Sequence, residues 1–207
     1  MAVRTMIFDF DGTIADTFHA VVHVLEQLSD EFGYRRASPD EMATLTSLGL
    51  RDLADRVGLS WHRLPALAVR VRKEMAKQMP SIKPCLGMPS ALAALRERGI
   101  RTGVLTSNKR ENVDSFLAHN PDLVFDFISA GSGLFGKHTR LKRLLATQRL
   151  ALAETCYVGD EVRDIEAARA LGMQAVAVCW GFSSPQLLAA SQPDHLFAEP
   201  SELLALC

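Results

Sequence analysis

Apolar and polar positions follow two different rhythms along the chain. The opening segment, Val3 to Phe10, is apolar and rich in β-forming residues up to the turn at Asp11–Gly12, which reads as a strand buried on both faces. A helical rhythm then takes over. From about Asp16 to Glu31 the residues Phe18, Val21, Val22, Leu25, Leu28 and Phe32 recur at three- and four-residue steps and predict one buried helix face. SPDEMATL starts a second helix, with Ser38 as its cap, Pro39 in the first turn and Glu41 at capping-box spacing. GLRDLADRVG reads as a third, ended by Gly58. LPALAVRVRKEMAKQM reads as a fourth, with Leu64, Leu67, Val71 and Met75 inward. Pro80 and Pro84 close this block.

Beyond Pro84 the two rhythms alternate. Helices over PSALAALRERG, ENVDSFLAHN, HTRLKRLLATQ, RDIEAARALG and SPQLLAAS are each followed by a short apolar strand, RTGVLTS, FDFISAG, TCYVGD, AVAVCWG and HLFA, and PSELLAL closes the chain. Strands without polar alternation are covered on both faces, which predicts an α/β fold with a doubly wound parallel sheet. The first strand belongs to that sheet. Residues 1–15 and 80–207 then form the α/β core, and 16–79 an inserted all-helical domain.

In such sheets ligands bind beyond the carboxyl ends of the strands, and the polar residues gather there. Strand one ends in Asp9 and Asp11, the next in Thr106, Ser107 and Asn108. The third runs into a glycine loop and Lys137, and the fourth ends in Asp160, with Asp164 one helical turn later. Asp9 and Asp11 sit two apart, so alternation points both carboxylates the same way, and Gly12 permits a turn directly after them. Four acids in one place repel, each pair by on the order of 4 kcal/mol at about 4 Å. Lys137 supplies one compensating charge, and a divalent ion with oxygen ligands supplies two more, which suits Mg²⁺. Acids, a divalent ion, a lysine and hydroxyl donors together make a phosphoryl site.

The motifs DFDGT, LTSN, GK and GDEVRD, in this order and at these strand ends, resemble the haloacid dehalogenase-like (HAD) hydrolase superfamily. The likeness spans the whole chain, helical cap included, and is strongest to phosphoglycolate-phosphatase-like members. It implies a Rossmann-like core and the following roles. Asp9 attacks phosphorus and becomes an aspartyl-phosphate. Asp11 is general acid and then base, its backbone carbonyl binding metal. Thr106 binds the phosphoryl oxygens and Lys137 neutralises charge. Asp160 holds Mg²⁺ along with Asp9 and Asp11, with Asp164 in support. Gly12, Ser107 and Asn108 line the phosphate, and Arg51, in the part of the cap near Gly49 that faces the site in relatives, contacts substrate. The family's dehalogenases lack the second acid of the first motif, so Asp11 favours phosphate chemistry. Ser107 is the alternative to Thr106 as the second-motif hydroxyl. His138 stands where such relatives often carry Pro and is expected to start a helix.

GSGLFGKHT, from Gly131 to Thr139, also suggests a P-loop or a dinucleotide fingerprint. The first needs Ser or Thr directly after Lys137, where His138 stands, and the second an acid on a following strand in a fitting place. The P-loop reading also leaves DFDGT unexplained, and for the fingerprint Asp160 comes slightly late and belongs to another motif. Two other functions stay open: a sugar-phosphate phosphomutase of the same superfamily, and a phospho-Asp signalling receiver. A net charge of −1 gives no basic surface for nucleic acid. No apolar run approaches membrane length, and four scattered cysteines suggest reduced thiols. The expected partner is a small phosphorylated metabolite, the expected location cytoplasmic, and a monomer the default. His19, His23 and the basic run Arg70, Arg72, Lys73 and Lys77 read as solvated helix faces, Trp61 and Trp180 as packing residues.

Overall fold

The computed structural model describes residues 2–38, 41, 50–131 and 136–207, with side chains left out at 50 and 51. Six strands, β1 Thr5–Phe8, β2 Arg101–Thr106, β3 Phe127–Ala130, β4 Thr155–Gly159, β5 Gln174–Val178 and β6 His195–Phe197, form one sheet in the order β3-β2-β1-β4-β5-β6. Every pairing is parallel, and Phe8 lies level with both Val104 and Val158. The ends of β1, β2 and β4 therefore open onto one place. The order reverses between β1 and β4, where doubly wound sheets carry their ligand crevice.

Strand residues alternate between two apolar layers. Met6, Phe8, Val104, Cys156, Val158, Val176 and Val178 face one, and Ile7, Leu105, Tyr157, Ala175 and Ala177 face the other. Burial on both faces is what the uninterrupted apolar runs required. Of the helices after the insertion, α4 Met88–Glu97 and α5 Arg110–His119 cover the first layer. The second is covered by α6 Lys137–Gln148, α7 Val162–Arg169 and α8 Pro185–Ala190.

The segment between β1 and β2 is helical where described: α1 Phe18–Phe32, α2 Leu50–Arg56 and α3 Leu64–Gln78. Its buried Val24, Leu28, Phe32, Leu67 and Met75 continue the first layer. The chain leaves and re-enters the core side by side, with Asp16 N–H donating to Lys83 O at 2.9 Å and Cys85 N–H to Ile14 O at 2.8 Å. Ser38 and Glu41 exchange the expected capping-box bonds, at 2.9 and 3.3 Å. The rest of the second helix, Gly49, the Arg51 side chain and residues 132–135 of the glycine loop lie outside the described residues.

Some expectations shift. The buried face of α1 runs through Val24, Leu28, Ser29 and Phe32, so Phe18 and Val22 stand off it. The helix α6 begins at Lys137 rather than His138. Trp61 is 60% exposed. Arg70 and Lys77 pair with Glu74 on their own helix, as a solvated face does. Among the described residues no helix is long and apolar enough to cross a membrane.

Candidate active site

Asp9 follows β1 directly, and its N–H still donates to Val158 O at 2.8 Å, which fixes it against β4. The chain then curls: Phe10 O accepts from the N–H groups of Ile14 and Ala15, both at 2.9 Å. Gly12 makes the curl possible with φ +79°, and a Cβ there would lie 2.4 Å from Asp160 Oδ2. Both conformation and space demand glycine.

Asp160 follows β4 and is fully buried. Its Oδ1 accepts from the Thr13 hydroxyl at 2.6 Å and its Oδ2 from Phe182 N–H at 2.8 Å. Asp164 sits in the first turn of α7, where its Oδ2 accepts from Glu161 N–H at 3.1 Å as half of a capping box. Lys137, freed from the glycine loop by Gly136 at φ +84°, places its Nζ 2.7 Å from Asp9 Oδ2 and in contact with Asp164 Oδ1. Oxygens of Asp9, Asp160 and Asp164 lie within 4.8 Å of one another. All three carboxylates are buried.

The electrostatics are strained without a cation. Burial, then Glu161, Asp164 and Asp9, push Asp160 well above the usual carboxylate range. Burial likewise lifts Asp164 to about 7 although Lys137 opposes the shift. For Lys137, burial works to lower the value, and Asp164 and Asp9 more than offset it. If all three carboxylates are ionised, one ammonium leaves two negative charges uncompensated among them. A hard divalent cation with oxygen ligands fits both that deficit and the donor set.

Asp11 is outside the three acids whose oxygens lie within 4.8 Å of one another, though its carboxylate still feels the Asp9 charge. It lies past the strand, in the turn, and Asn108 Nδ2 donates to both its carboxylate oxygens, at 3.2 and 3.1 Å. Burial, then the Asp9 charge, raise it to about 7, with Asn108 opposing. Thr106 is buried at the end of β2 and its Oγ1 accepts from Asn108 N–H at 2.9 Å. Ser107 is half-buried beside it. Asp9, Asp160, Asp164 and Lys137 thus converge, and Asn108 links Asp11 to Thr106.

Several contributors escaped the sequence reading. Thr13 and Phe182 hold the two Asp160 oxygens, and Trp180 Nε1 donates to Thr13 O at 3.0 Å. Arg140, one turn after Lys137, donates to Thr106 O at 2.7 Å, Ser129 O at 3.2 Å and Gly131 O at 3.3 Å, tying the ends of β2 and β3 together. Thr13 could have been found, as the last polar residue of DFDGT. Phe182 and Arg140 act through loop geometry that leaves no spacing signal. A cavity of about 810 Å³ lies between Phe18, Leu86, Trp180 and Pro200, and none of Asp9, Asp11, Asp160 and Asp164 lines it.

A family model described as haloacid dehalogenase-like hydrolase matches residues 6–178. A phosphoglycolate phosphatase of Synechococcus elongatus is 37% identical over 203 residues, covering 98% of this chain and 96% of its own. One of Aquifex aeolicus is 27% identical over 209 residues, covering 99% and 96%. Among solved structures, a haloacid dehalogenase-like family hydrolase from Streptococcus pneumoniae gives a TM-score of 0.78 at 23% identity, over 98% of this chain and 97% of that one. CbbY from Rhodobacter sphaeroides, solved in complex with phosphate, gives 0.71 at 19% identity, over 99% and 98%. At these identities the two structures speak to the fold.

Proposed function

This chain belongs to the haloacid dehalogenase-like hydrolase family and is a phosphatase, and on that premise we propose that it hydrolyses a small phosphomonoester, 2-phosphoglycolate or a close relative, through an aspartyl-phosphate on Asp9. The observation that carries this reading is the convergence of Asp9, Asp160 and Asp164 around Lys137 at the switch point of the sheet. The substrate class rests on the phosphoglycolate phosphatases that cover nearly the whole chain.

Asp9, Asp160 and the main-chain carbonyl of Asp11 would hold Mg²⁺, with Asp164 directly beside them. The ion supplies charge neutralisation for the phosphate among the acids. The chain's own residues do the rest. Lys137 and the Thr106 hydroxyl bind phosphoryl oxygens. An Asp9 oxygen attacks phosphorus while the bond to the leaving oxygen breaks, and protonated Asp11 gives that oxygen its proton. Water then attacks the same phosphorus, Asp11 takes its proton, and the bond to Asp9 breaks to release phosphate. Burial, then the Asp9 charge, raise the Asp11 carboxyl, which favours the protonated form that the leaving oxygen needs. Residues 16–79 act as a cap that moves on the paired connections at 14–16 and 83–85, closing to exclude water.

Phosphate release from 2-phosphoglycolate tests this. The expected result is continuous turnover with Mg²⁺, none with EDTA, and at least a thousandfold loss in Asp9→Asn, on the order seen when a nucleophile is removed. Normal activity in Asp9→Asn, or indifference to chelation, contradicts it.

A further inference from the structure

Resting on that reading, we infer that Asn112 is a positioning residue for the acid–base step, acting on Asp11 through Asn108. The Asn108 side-chain amide has one accepting end and one donating end. Lys109 N–H lies 2.8 Å from one of these ends. A main-chain N–H only donates, so that end is the oxygen. Asn112 Nδ2 donates to the same oxygen at 2.7 Å. With the oxygen held from two sides, the Asn108 NH₂ is turned away from them and toward Asp11, where it meets both carboxylate oxygens.

Asn112 is built for this. It stands in the first turn of α5, where its N–H donates to Lys109 O at 3.2 Å. Helical side chains lean toward the helix N-terminus, which carries the Asn112 amide back over the loop that follows β2. It is only 8% exposed. Asn is a weak helix former, so its presence here is not explained by propensity, and a buried amide costs stability unless bonded. The same loop sets Thr106, whose Oγ1 accepts from Asn108 N–H. That bond comes from the main chain of Asn108, so it does not depend on the side chain that Asn112 holds.

The consequence is specific to the leaving group. An alkyl leaving group needs the Asp11 proton as the phosphorus–oxygen bond breaks, whereas p-nitrophenolate departs without it. Asn112→Leu removes the donor at similar volume. Asn112→Asp keeps the shape but presents an acceptor to the Asn108 oxygen. For both variants, kcat/KM on 2-phosphoglycolate should fall at least about tenfold, a fraction of the ~10²–10⁴ that general acid catalysis supplies. On p-nitrophenyl phosphate it should stay within about twofold, which also shows that the variant is folded and keeps its phosphate site. Equal losses on the two substrates, or no loss on either, overturn the inference. Failure of the unmodified protein to hydrolyse either ester is a different result, and it strikes the proposed function instead.

Discussion

At the scale of single residues, the site is set by where carboxylates are allowed to come close. Asp160 is pressed against backbone that has no side chain: a Cβ on Gly181 would lie 2.2 Å from Asp160 Oδ2, and one on Gly12 2.4 Å from it. Asp164 stands over Gly159 in the same way, at 2.4 Å. Gly181→Ala should therefore push the Asp160 carboxylate off its bonds to Thr13 and Phe182. The expected outcome is a rise of about tenfold or more in the metal concentration for half-maximal activity, with a stability loss of about 1–3 kcal/mol, as for other overpacked sites. Metal titration of activity and a denaturant melt check both. An unchanged metal requirement would mean that Asp160 does not hold the ion.

At the scale of elements, α6 docks on the sheet edge through two side chains one turn apart. Lys137 reaches the acids, and Arg140 bonds three carbonyls at the ends of β2 and β3. Arg140→Met keeps the stem but leaves those carbonyls without the guanidinium. It should cost about 1–3 kcal/mol by the usual penalty for unpaired groups and lower kcat by slackening Thr106, as denaturant melts and turnover measurements would show. Much of this architecture is legible in the sequence. Apolar runs ending in Asp9, Thr106 and Asp160 declare both the strands and the edge they share, because a strand buried on both faces can place polar groups only where it stops. Lys137 is legible through the glycine loop before it. The turn of Asp11 toward Asn108, the reach of Arg140 and the Asn112 amide are not, since each depends on how loops fold beside one another. The face of α1 is misread at Phe18 and Val22 because an apolar helix offers several stripes and only packing selects one.

At the scale of the whole molecule, folding gathers acidic charge that water would otherwise solvate. In the metal-free protein Asp164 holds its proton to about 7, against 3.8 ordinarily, and Asp160 is shifted the same way, burial being the main cause in both. Between those values the folded state binds more protons than the unfolded chain, so this contribution to stability is present at low pH and lost as pH rises toward 7. A divalent cation replaces the protons, and its stabilising effect grows over the same window. The rise in Tm on adding Mg²⁺ should be larger at roughly pH 7.5 than at roughly pH 5; a rise independent of pH would place the ion away from these acids. The most direct measurement of all is calorimetric titration of Mg²⁺ into the protein and into Asp160→Asn. Saturable binding of one ion per chain is expected, abolished or weakened at least about tenfold by the substitution. Undiminished binding in Asp160→Asn, or no saturable binding in either protein, would contradict it.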